Sequence, residues 1–297
     1  MEVIERNKSL GSSPGHSGAA AAVDGLTILS WNILADCYAT KDGQPQEGKL
    51  YSHVAIDDLV WPARCARILD DIILASADVV CLQEVEPAVF ERDFKPALGA
   101  AGYNGVIQKN DHRVGVATFW RQDRFCCVWE NHRSRSLVTV LEQSPTSSAA
   151  DHCAGARASA IVNVHLQGHA RETLARVKQL SSSLRHLSTH GPEHHGVVVT
   201  GDFNCSPQSA CSAYLAFGSV MPGVTEYGRE VTADVTRVQP HSYALERVPY
   251  RPEGTDFTFT TLGARSWCGL LDHIWYSPSS LRCVARRQLF SEVGVVP

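Results

Sequence analysis

The chain has 297 residues, a net charge of −4, 44% hydrophobic residues and 20% charged residues. This length allows one large domain or two small ones with a substantial core, and the composition is that of a globular protein. The acidic balance argues against broad, sequence-independent coating of nucleic acid, which needs a basic surface, but it allows an enzyme that grips a few phosphates locally.

Cysteine usage and the N-terminal segment bear on the compartment. The ten cysteines include no C-x-x-C pair and no Cys/His spacing of a structural zinc site. We therefore expect a reduced cytoplasmic or nuclear protein in which most cysteines are small core residues. No apolar run is long enough for a membrane span, and the N-terminus has no apolar segment of a secretory signal. An organelle is not excluded, because Lys8 and the nearby serines partly fit a transit peptide.

The first part of the chain predicts a tail, a strand and a helix. Residues 1–25 are rich in Gly, Ser and Ala and are expected to form a disordered tail before a domain that covers residues 26–297. The segment 26–31 predicts a first strand that ends at Asn32. Pro62 is expected to begin a helix, since proline favours the first turn. Its predicted apolar stripe consists of Ala66, Leu69 and Ile73.

The middle of the chain predicts strands joined by short polar turns. A buried strand over 78–84 has polar groups at its end, and a helix is expected between Pro87 and Gly102. Further strands are expected near residues 103–108, 115–120, 125–129, 137–141 and 158–166. The short turns favour antiparallel pairing, whereas strands and helices alternate elsewhere. We therefore predict an α/β protein with two packed mixed sheets flanked by helices.

The second half contains the clearest amphipathic helix, expected over 171–187. Its apolar stripe is formed by Leu174, Val177, Leu180, Leu184 and Leu187. A buried strand over 196–202 follows, residues 205–265 are too irregular to order, and a last strand is expected over 270–276.

The sequence Gly201-Asp202-Phe203-Asn204 follows that buried strand directly. Asp202 and Asn204 are two residues apart and can project to the same side. A carboxylate and a carboxamide supply the hard oxygen ligands that suit Mg²⁺ and phosphate. The alternative is an ordinary Asp/Asn turn in which these side chains cap the backbone.

Other strands also carry polar residues that an apolar strand does not need. Four strands end in such residues and a fifth has one in its interior: Asn32, Glu84, His165, the pair Asp202 and Asn204, and Asp272. An ionisable group at a buried strand is costly without a partner. One such group would be a satisfied core residue, but five at equivalent places predict one shared cleft.

These motifs resemble, in the same order, those of the endonuclease/exonuclease/phosphatase superfamily. They are Trp31-Asn32, Leu82-Gln83-Glu84, Asn163-Val164-His165-Leu166, Gly201-Asp202-Phe203-Asn204 and Leu271-Asp272-His273-Ile274. The deadenylase branch, which includes nocturnin and the angel proteins, is indicated by three longer matches. These are Trp31-Asn32-Ile33-Leu34-Ala35-Asp36, Trp61-Pro62-Ala63-Arg64 and Asp272-His273-Ile274-Trp275-Tyr276-Ser277.

The resemblance implies a four-layer α/β sandwich with the site between its two sheets. By resemblance, Glu84 binds Mg²⁺, or Mn²⁺ as the alternative, with Asn32 beside it. Asp202 and Asn204 orient the attacking water and hold the phosphate or a second ion. His165 hydrogen-bonds a phosphate oxygen as charge builds up in the transition state.

The implied activity is a metal-dependent 3′-to-5′ exoribonuclease that shortens RNA tails, with single-stranded RNA or a nucleotide as substrate. Two alternatives stay open: a phosphatase of a small molecule, such as a dinucleotide 2′-phosphate or an inositol phosphate, and a non-catalytic binding module. The sequence does not indicate a protein partner. Aromatic candidates for base stacking are Tyr250, Phe257 and Phe259.

One motif of the superfamily, a final Ser-Asp-His oriented by the residue equivalent to Asp272, does not occur in this sequence. We therefore expect a domain that lacks its C-terminal end, or else a natural variant, and predict weak hydrolysis until the motif is restored. His273 is not a substitute, because successive strand residues face opposite sides. His112 and His169 could approach the site from loops, although nothing in the sequence requires it.

Overall fold

A computed structural model of the chain describes residues 2–6, 25–41, 44–45, 54–109, 112–144, 158–249, 261–262 and 268–286. The strands, in chain order, are β1 (Glu2–Arg6), β2 (Gly25–Asn32), β3 (Thr40–Lys41), β4 (Gln44–Pro45), β5 (Val79–Val85), β6 (Tyr103–Ile107), β7 (Gly115–Arg121), β8 (Phe125–Arg133), β9 (Ser136–Gln143), β10 (Ala158–His165), β11 (Gly196–Asp202), β12 (Thr225–Glu226), β13 (Arg229–Glu230), β14 (Glu246–Arg247), β15 (Thr261–Leu262), β16 (Cys268–Gly269), β17 (Asp272–Tyr276) and β18 (Leu281–Arg286). The helices are α1 (Asp36–Ala39), α2 (Ile56–Leu59), α3 (Trp61–Ala75), α4 (Pro87–Val89), α5 (Lys95–Ala100), α6 (Thr173–His190), α7 (Ala210–Phe217) and α8 (Ala233–Thr236), with a π-helical turn at Phe90–Phe94.

Two six-stranded sheets form the centre of the domain. The first has the strand order β18-β1-β2-β5-β7-β6, and the second has the order β14-β17-β11-β10-β9-β8. Each contains one parallel pair, β2 with β5 and β10 with β11, among antiparallel neighbours. The predicted mixed sheets are therefore confirmed.

Alternating side chains of the central strands build three apolar layers. Ile28 and Val79 of the first sheet pack between the sheets against Ile161 and Val198 of the second. Outward residues of the first sheet pack against α3, the π-helical turn and α5. Outward residues of the second sheet pack against α6 and α7. This is the helix–sheet–sheet–helix sandwich that was predicted, and its apolar contacts hold the strand ends in place.

Helix α3 begins where predicted, with Pro62 in its first turn. The predicted stripe, however, was wrong: Ala66 and Ile73 are exposed and only Leu69 is partly covered. The buried face consists of Trp61, Arg64, Cys65, Ile68 and Ile72. The buried guanidinium of Arg64 donates to the carbonyl groups of Ile33 and Leu34, so a charged residue lies on the core face of the helix. Because a charged residue is normally assigned to the exposed face, the sequence pattern placed the apolar stripe on the wrong side.

Helix α6 confirms its predicted stripe at Val177, Leu180, Leu184 and Leu187, all of which are buried, while Leu174 is only partly covered. The irregular region that follows β11 contains α7 and α8, which the sequence did not order. Among the described residues, no helix has the length and apolar character that a membrane crossing requires. The following cysteines are free thiols: Cys37, Cys65, Cys81, Cys126, Cys127, Cys205, Cys211 and Cys283.

The N-terminal tail differs in part from the expectation. Glu2–Arg6 forms a strand between β2 and β18, so this piece of the predicted disordered tail is wrong. The physical reason is the open edge of β2, whose backbone groups pair with a short segment that contains two β-branched residues. Residues 7–24 lie outside the described part, and the predicted domain limits stay a prediction.

Candidate active site

The carboxyl ends of the two parallel strand pairs meet at one edge of the sandwich. In the first sheet, Asn32 is level with Gln83, which places Glu84 just beyond it. In the second sheet, His165 is level with Asp202. Because these strand ends face each other across the two sheets, four residues that are far apart in the chain come together.

The side-chain amide of Asn32 joins the two sheets. Its Nδ2 donates to Oε1 of Glu84 at 3.0 Å and to Oδ2 of Asp202 at 3.1 Å. Its own Oδ1 accepts the N–H of Leu34 at 3.0 Å, which fixes the orientation of the amide. A single uncharged donor group therefore holds two carboxylates.

Glu84 adopts a left-handed backbone conformation, with φ of 59°. It lies where the pairing of β5 with β7 is interrupted, between Leu82 and Val85. Its second oxygen, Oε2, accepts the N–H of Ala35 at 3.0 Å. A non-glycine residue in this region costs on the order of 1–3 kcal/mol, and such strain is concentrated at functional sites.

The two carboxylate oxygens of Asp202 have different tasks. Oδ1 accepts the N–H of Asn204 at 2.8 Å and closes a turn, while Oδ2 faces Asn32. The Asn204 amide donates to the carbonyl of Leu166 at 3.0 Å. Gly201 precedes the turn with φ of 135°, and a Cβ there would lie 2.0 Å from the Val164 carbonyl oxygen. Oδ1 of Asp202 thus caps the turn, as the alternative prediction has it, whereas Oδ2 faces the cleft.

His165 approaches both carboxylates from the second sheet. Its Nε2 lies 3.9 Å from Oε1 of Glu84 and 3.9 Å from Oδ2 of Asp202. Beside it is a cavity of only about 10 Å³, whose lining includes His112, Ser134 and Arg135. His112 therefore does approach the site, whereas His169 accepts a hydrogen bond from Arg171 within its own exposed loop.

Burial raises the pKa of Asp202 above the usual value of an aspartate, and the nearby Glu84 carboxylate adds to this effect. His165, the Asn32 amide and the Asn204 N–H act in the opposite direction. Neither carboxylate forms an ion pair with a lysine or arginine among the described residues. The site therefore carries more negative charge than its neighbours neutralise.

This donor set fits a hard divalent cation. One oxygen of Glu84 and one of Asp202 converge on the same amide, and Mg²⁺ prefers oxygen ligands of which only one or two are carboxylates. Among the described residues, no three His, Cys, Asp or Glu side chains are grouped to enclose a metal. The arrangement thus differs from a protein-only cage of the zinc type.

Asp272 and His273 occupy opposite faces of β17. Asp272 is level with Asp202 on the neighbouring strand, so both project from the same face of the sheet. His273 is buried on the other face, with its Nε2 2.9 Å from the carbonyl oxygen of Cys205 and its ring edge-on to Phe203. Burial lowers the pKa of His273 to about 4. His273 is therefore a packing residue, as expected.

Two buried amide side chains, those of Gln83 and Asn163, lie behind the site and belong to motifs that by themselves assign them no role. Gln83 donates from Nε2 to Oδ1 of Asn163 at 2.9 Å, which joins the sheets. Asn163 in turn donates to the carbonyl of Ala117 at 2.9 Å. A polar residue in the interior of a buried strand was the signal that could have identified this tie.

The aromatic residues predicted to stack on bases are outside the described part of the chain. Tyr250, Phe257 and Phe259, the candidates for base stacking, all fall there. The structure instead places the exposed Tyr38 on α1, directly after the segment that contacts Glu84. The pKa of Tyr38 is raised, first by partial burial and then by Cys37 and Glu84.

The chain is similar to known proteins along most of its length. Residues 29–293 match the model of the Endonuclease/Exonuclease/phosphatase family. Carbon catabolite repressor protein 4 homolog 1 of Arabidopsis thaliana is 27% identical over 335 residues, which cover 93% of this chain and 54% of that protein. Human 2′,5′-phosphodiesterase 12 is 29% identical, with 66% of this chain and 36% of that protein covered. The chain thus spans about half or less of these relatives.

Solved structures share the fold. A crystal structure of ANGEL2, described as a 2′,3′-cyclic phosphatase in complex with adenosine-2′,3′-vanadate, superposes with a TM-score of 0.68 at 22% identity, covering 90% of this chain and 87% of that one. The human Nocturnin catalytic domain gives a TM-score of 0.52 at 21% identity, covering 85% and 83%. At these identities the likeness establishes the four-layer fold alone.

Proposed function

The chain belongs to the Endonuclease/Exonuclease/phosphatase family, whose members are hydrolases, and from this premise we propose a specific reaction. The proposed activity is Mg²⁺-dependent hydrolysis of phosphodiester bonds from the 3′ end of single-stranded RNA, of the poly(A)-shortening type. The relatives of this chain include a CCR4-Not complex 3′-5′-exoribonuclease subunit of Debaryomyces hansenii. The two sequences are 23% identical, and the match covers 87% of this chain and 35% of that protein.

One observation carries the proposal: Asn32 holds Glu84 and Asp202 on one amide, with His165 3.9 Å from both. Phosphoryl transfer needs negative charge neutralised, a water placed in line and a leaving oxygen stabilised. Glu84 and Asp202 are the groups that would hold Mg²⁺, or Mn²⁺ in its place. The bound cation would supply charge neutralisation at the phosphate and at the leaving oxygen.

The other roles belong to side chains of the chain itself. Asp202 orients the attacking water through Oδ2, because its Oδ1 is engaged by the N–H of Asn204. Asn204 and Asn32 position the phosphate. His165 donates a hydrogen bond to a phosphate oxygen as its charge grows. Asp272, on the same face as Asp202, orients a further group at the phosphate.

Product analysis tests the proposal. A twenty-nucleotide oligoadenylate is incubated with the protein, with and without Mg²⁺. The expected product is adenosine monophosphate, released one nucleotide at a time from the 3′ end. Release that does not need Mg²⁺, or that survives Glu84→Ala, would contradict the assignment.

The alternative is a phosphatase of a small molecule, such as a dinucleotide 2′-phosphate or an inositol phosphate. The cavity of about 10 Å³ beside His165, which His112 and Arg135 help to line, is too small for more than part of one phosphate group, which favours a terminal phosphate. Inorganic phosphate as the only product would select this alternative. A binding module would give neither product and would retain its partner after Glu84→Ala.

A further inference from the structure

A groove on the flank of the second sheet has no part in the site described above. It lies along α6, has a volume of about 780 Å³, and is bordered on its far side by α8. We name it the α6 groove, lined among others by Arg133, Lys178, Arg185, His190 and Arg237.

The charge of this groove is opposite to that of the whole chain. Four cationic side chains line it against a single carboxylate, Asp234, whereas the chain carries −4. Asp234 is already paired with Arg237 at 3.4 Å. Lys178 and Arg185 are exposed and form no ion pair with the described residues. Positive charge that is concentrated and not neutralised attracts an anionic ligand.

The spacing of the cations suits an extended polyanion. Lys178 and Arg185 lie on one face of α6, two helical turns or about 10 Å apart, close to three nucleotide rises of a single strand. Arg133 holds its guanidinium toward the same helix through hydrogen bonds from Nε and Nη2 to Oγ of Ser182, at 3.0 and 2.7 Å. A ligand with one phosphate would use only one of these contacts.

Stacked rings at the far end of the groove add a surface for bases. His186 stacks on Trp129 with ring centres 6.1 Å apart, and the exposed His190 stacks on His186 at 4.3 Å. Burial lowers the pKa of His186, with His190 and Arg133 adding to the effect. Flat aromatic surfaces beside cations are the usual features of single-strand binding.

The groove begins next to the active site. Arg133 ends β8, and the following turn carries Arg135, whose carbonyl accepts the N–H of His165 at 3.0 Å. A strand whose 3′ end lies at Glu84 and Asp202 could therefore continue past this turn into the groove. We propose that the α6 groove binds the RNA segment on the 5′ side of the hydrolysed end, an inference that rests on the proposed function.

Binding of labelled oligoadenylates of twenty and three nucleotides tests the groove without hydrolysis. Fluorescence anisotropy is measured on the full chain carrying Glu84→Ala, and the groove variant adds Lys178→Glu with Arg185→Glu. We expect the Kd of the twenty-mer to rise about tenfold or more. The slope of log Kd against the logarithm of the salt concentration should fall by about 1.4, since two phosphate contacts are lost. The Kd of the trimer should stay unchanged.

The matched control is Arg67→Glu with Lys95→Glu, which makes the same charge change on the helices of the first sheet, where both residues are exposed. It should weaken binding of the twenty-mer by less than about twofold, because only long-range charge is altered. Equal weakening in both variants would overturn the proposal, as would an unchanged Kd in the groove variant or a weakened trimer. Failure of the twenty-mer to bind at all would also overturn it.

Hydrolysis by the protein with Glu84 intact separates this inference from the proposed function. If binding depends on the groove but no adenosine monophosphate is released, RNA binding by the groove is supported and the exonuclease activity is rejected. If adenosine monophosphate is released and the groove variant has the same KM for the twenty-mer, the exonuclease activity is supported and RNA binding by the groove is rejected. An acidic protein that binds the groove while the twenty-mer does not would reject the RNA assignment.

Discussion

The two ends of strand β5 each present an acid, buried at Asp78 and half-buried at Glu84, but the two acids are held in opposite ways. At one end, Asp78 accepts the N–H and the hydroxyl of Thr27, both at 2.8 Å, and pairs with Arg124. At the other end, Glu84 shares one amide with Asp202, and it forms no ion pair with a lysine or arginine among the described residues. A carboxylate paired with a guanidinium is structural. Two neighbouring carboxylates that have neutral donors but no lysine or arginine partner among the described residues indicate a place where a ligand supplies the missing positive charge.

The strongest test of this contrast is Asp202→Asn. We expect hydrolysis to fall by about 10³-fold or more, because the water-orienting and charge-holding oxygen is lost. Stability at pH 7 should stay equal or rise. Burial raises the pKa of Asp202, so the ionised carboxylate is less favourable in the folded state than in the unfolded one, and this cost disappears in the amide. Turnover assays and urea unfolding measure both effects, and retained activity would count against the site.

The opposite result is expected for Asp78→Ala. This change leaves the guanidinium of Arg124 and the N–H of Thr27 without their partner, which should lower the free energy of unfolding by about 3 kcal/mol. Activity per folded molecule should stay unchanged. Asp123→Ala is the matched control, because its pairing with Arg121 is exposed and worth less than about 1 kcal/mol. Equal loss of stability in the two variants would remove the contrast.

Addition of Mg²⁺ should distinguish the two ends directly. At a concentration of about 100 times its Kd, the cation should stabilise the folded protein by about 2.7 kcal/mol. Glu84→Gln should abolish most of this gain, while Asp78→Ala should retain it. Thermal unfolding with and without Mg²⁺ measures the difference. A gain that is the same in all three proteins would mean that the cation binds elsewhere.

The same contrast exists on β17, where Asp272 faces the site and His273 faces the core. The pKa of His273 is about 4 in the folded protein, below that of an unfolded histidine, so stability is present above about pH 6.5 and lost as the pH falls toward 4. His273→Gln should remove about 2 kcal/mol of the stability difference between pH 7.5 and pH 5, measured by urea unfolding. An unchanged pH dependence would show that His273 is accessible to protons.

Much of the fold could be predicted because its signals are local. Runs of β-branched residues such as 197–199 identify buried strands, and the spacing of Val177, Leu180, Leu184 and Leu187 identifies α6. The stripe of α3 could not be read correctly, because the buried guanidinium of Arg64 lies on its core face. The segment 205–265 could not be ordered from the sequence either, since the short helices in its described part depend on packing against α6 and β11.

The sequence by itself determined the central strands and the polar residues at their ends, because both depend on local pattern, and the resemblance of its motifs implied the four-layer class. Only the tertiary structure decided that Asn32 bridges Glu84 and Asp202, that Gln83 ties the sheets through Asn163, and that cations along α6 form a groove. These features join residues distant in sequence. Their distances follow from the packing of the two sheets against each other, which no single segment specifies.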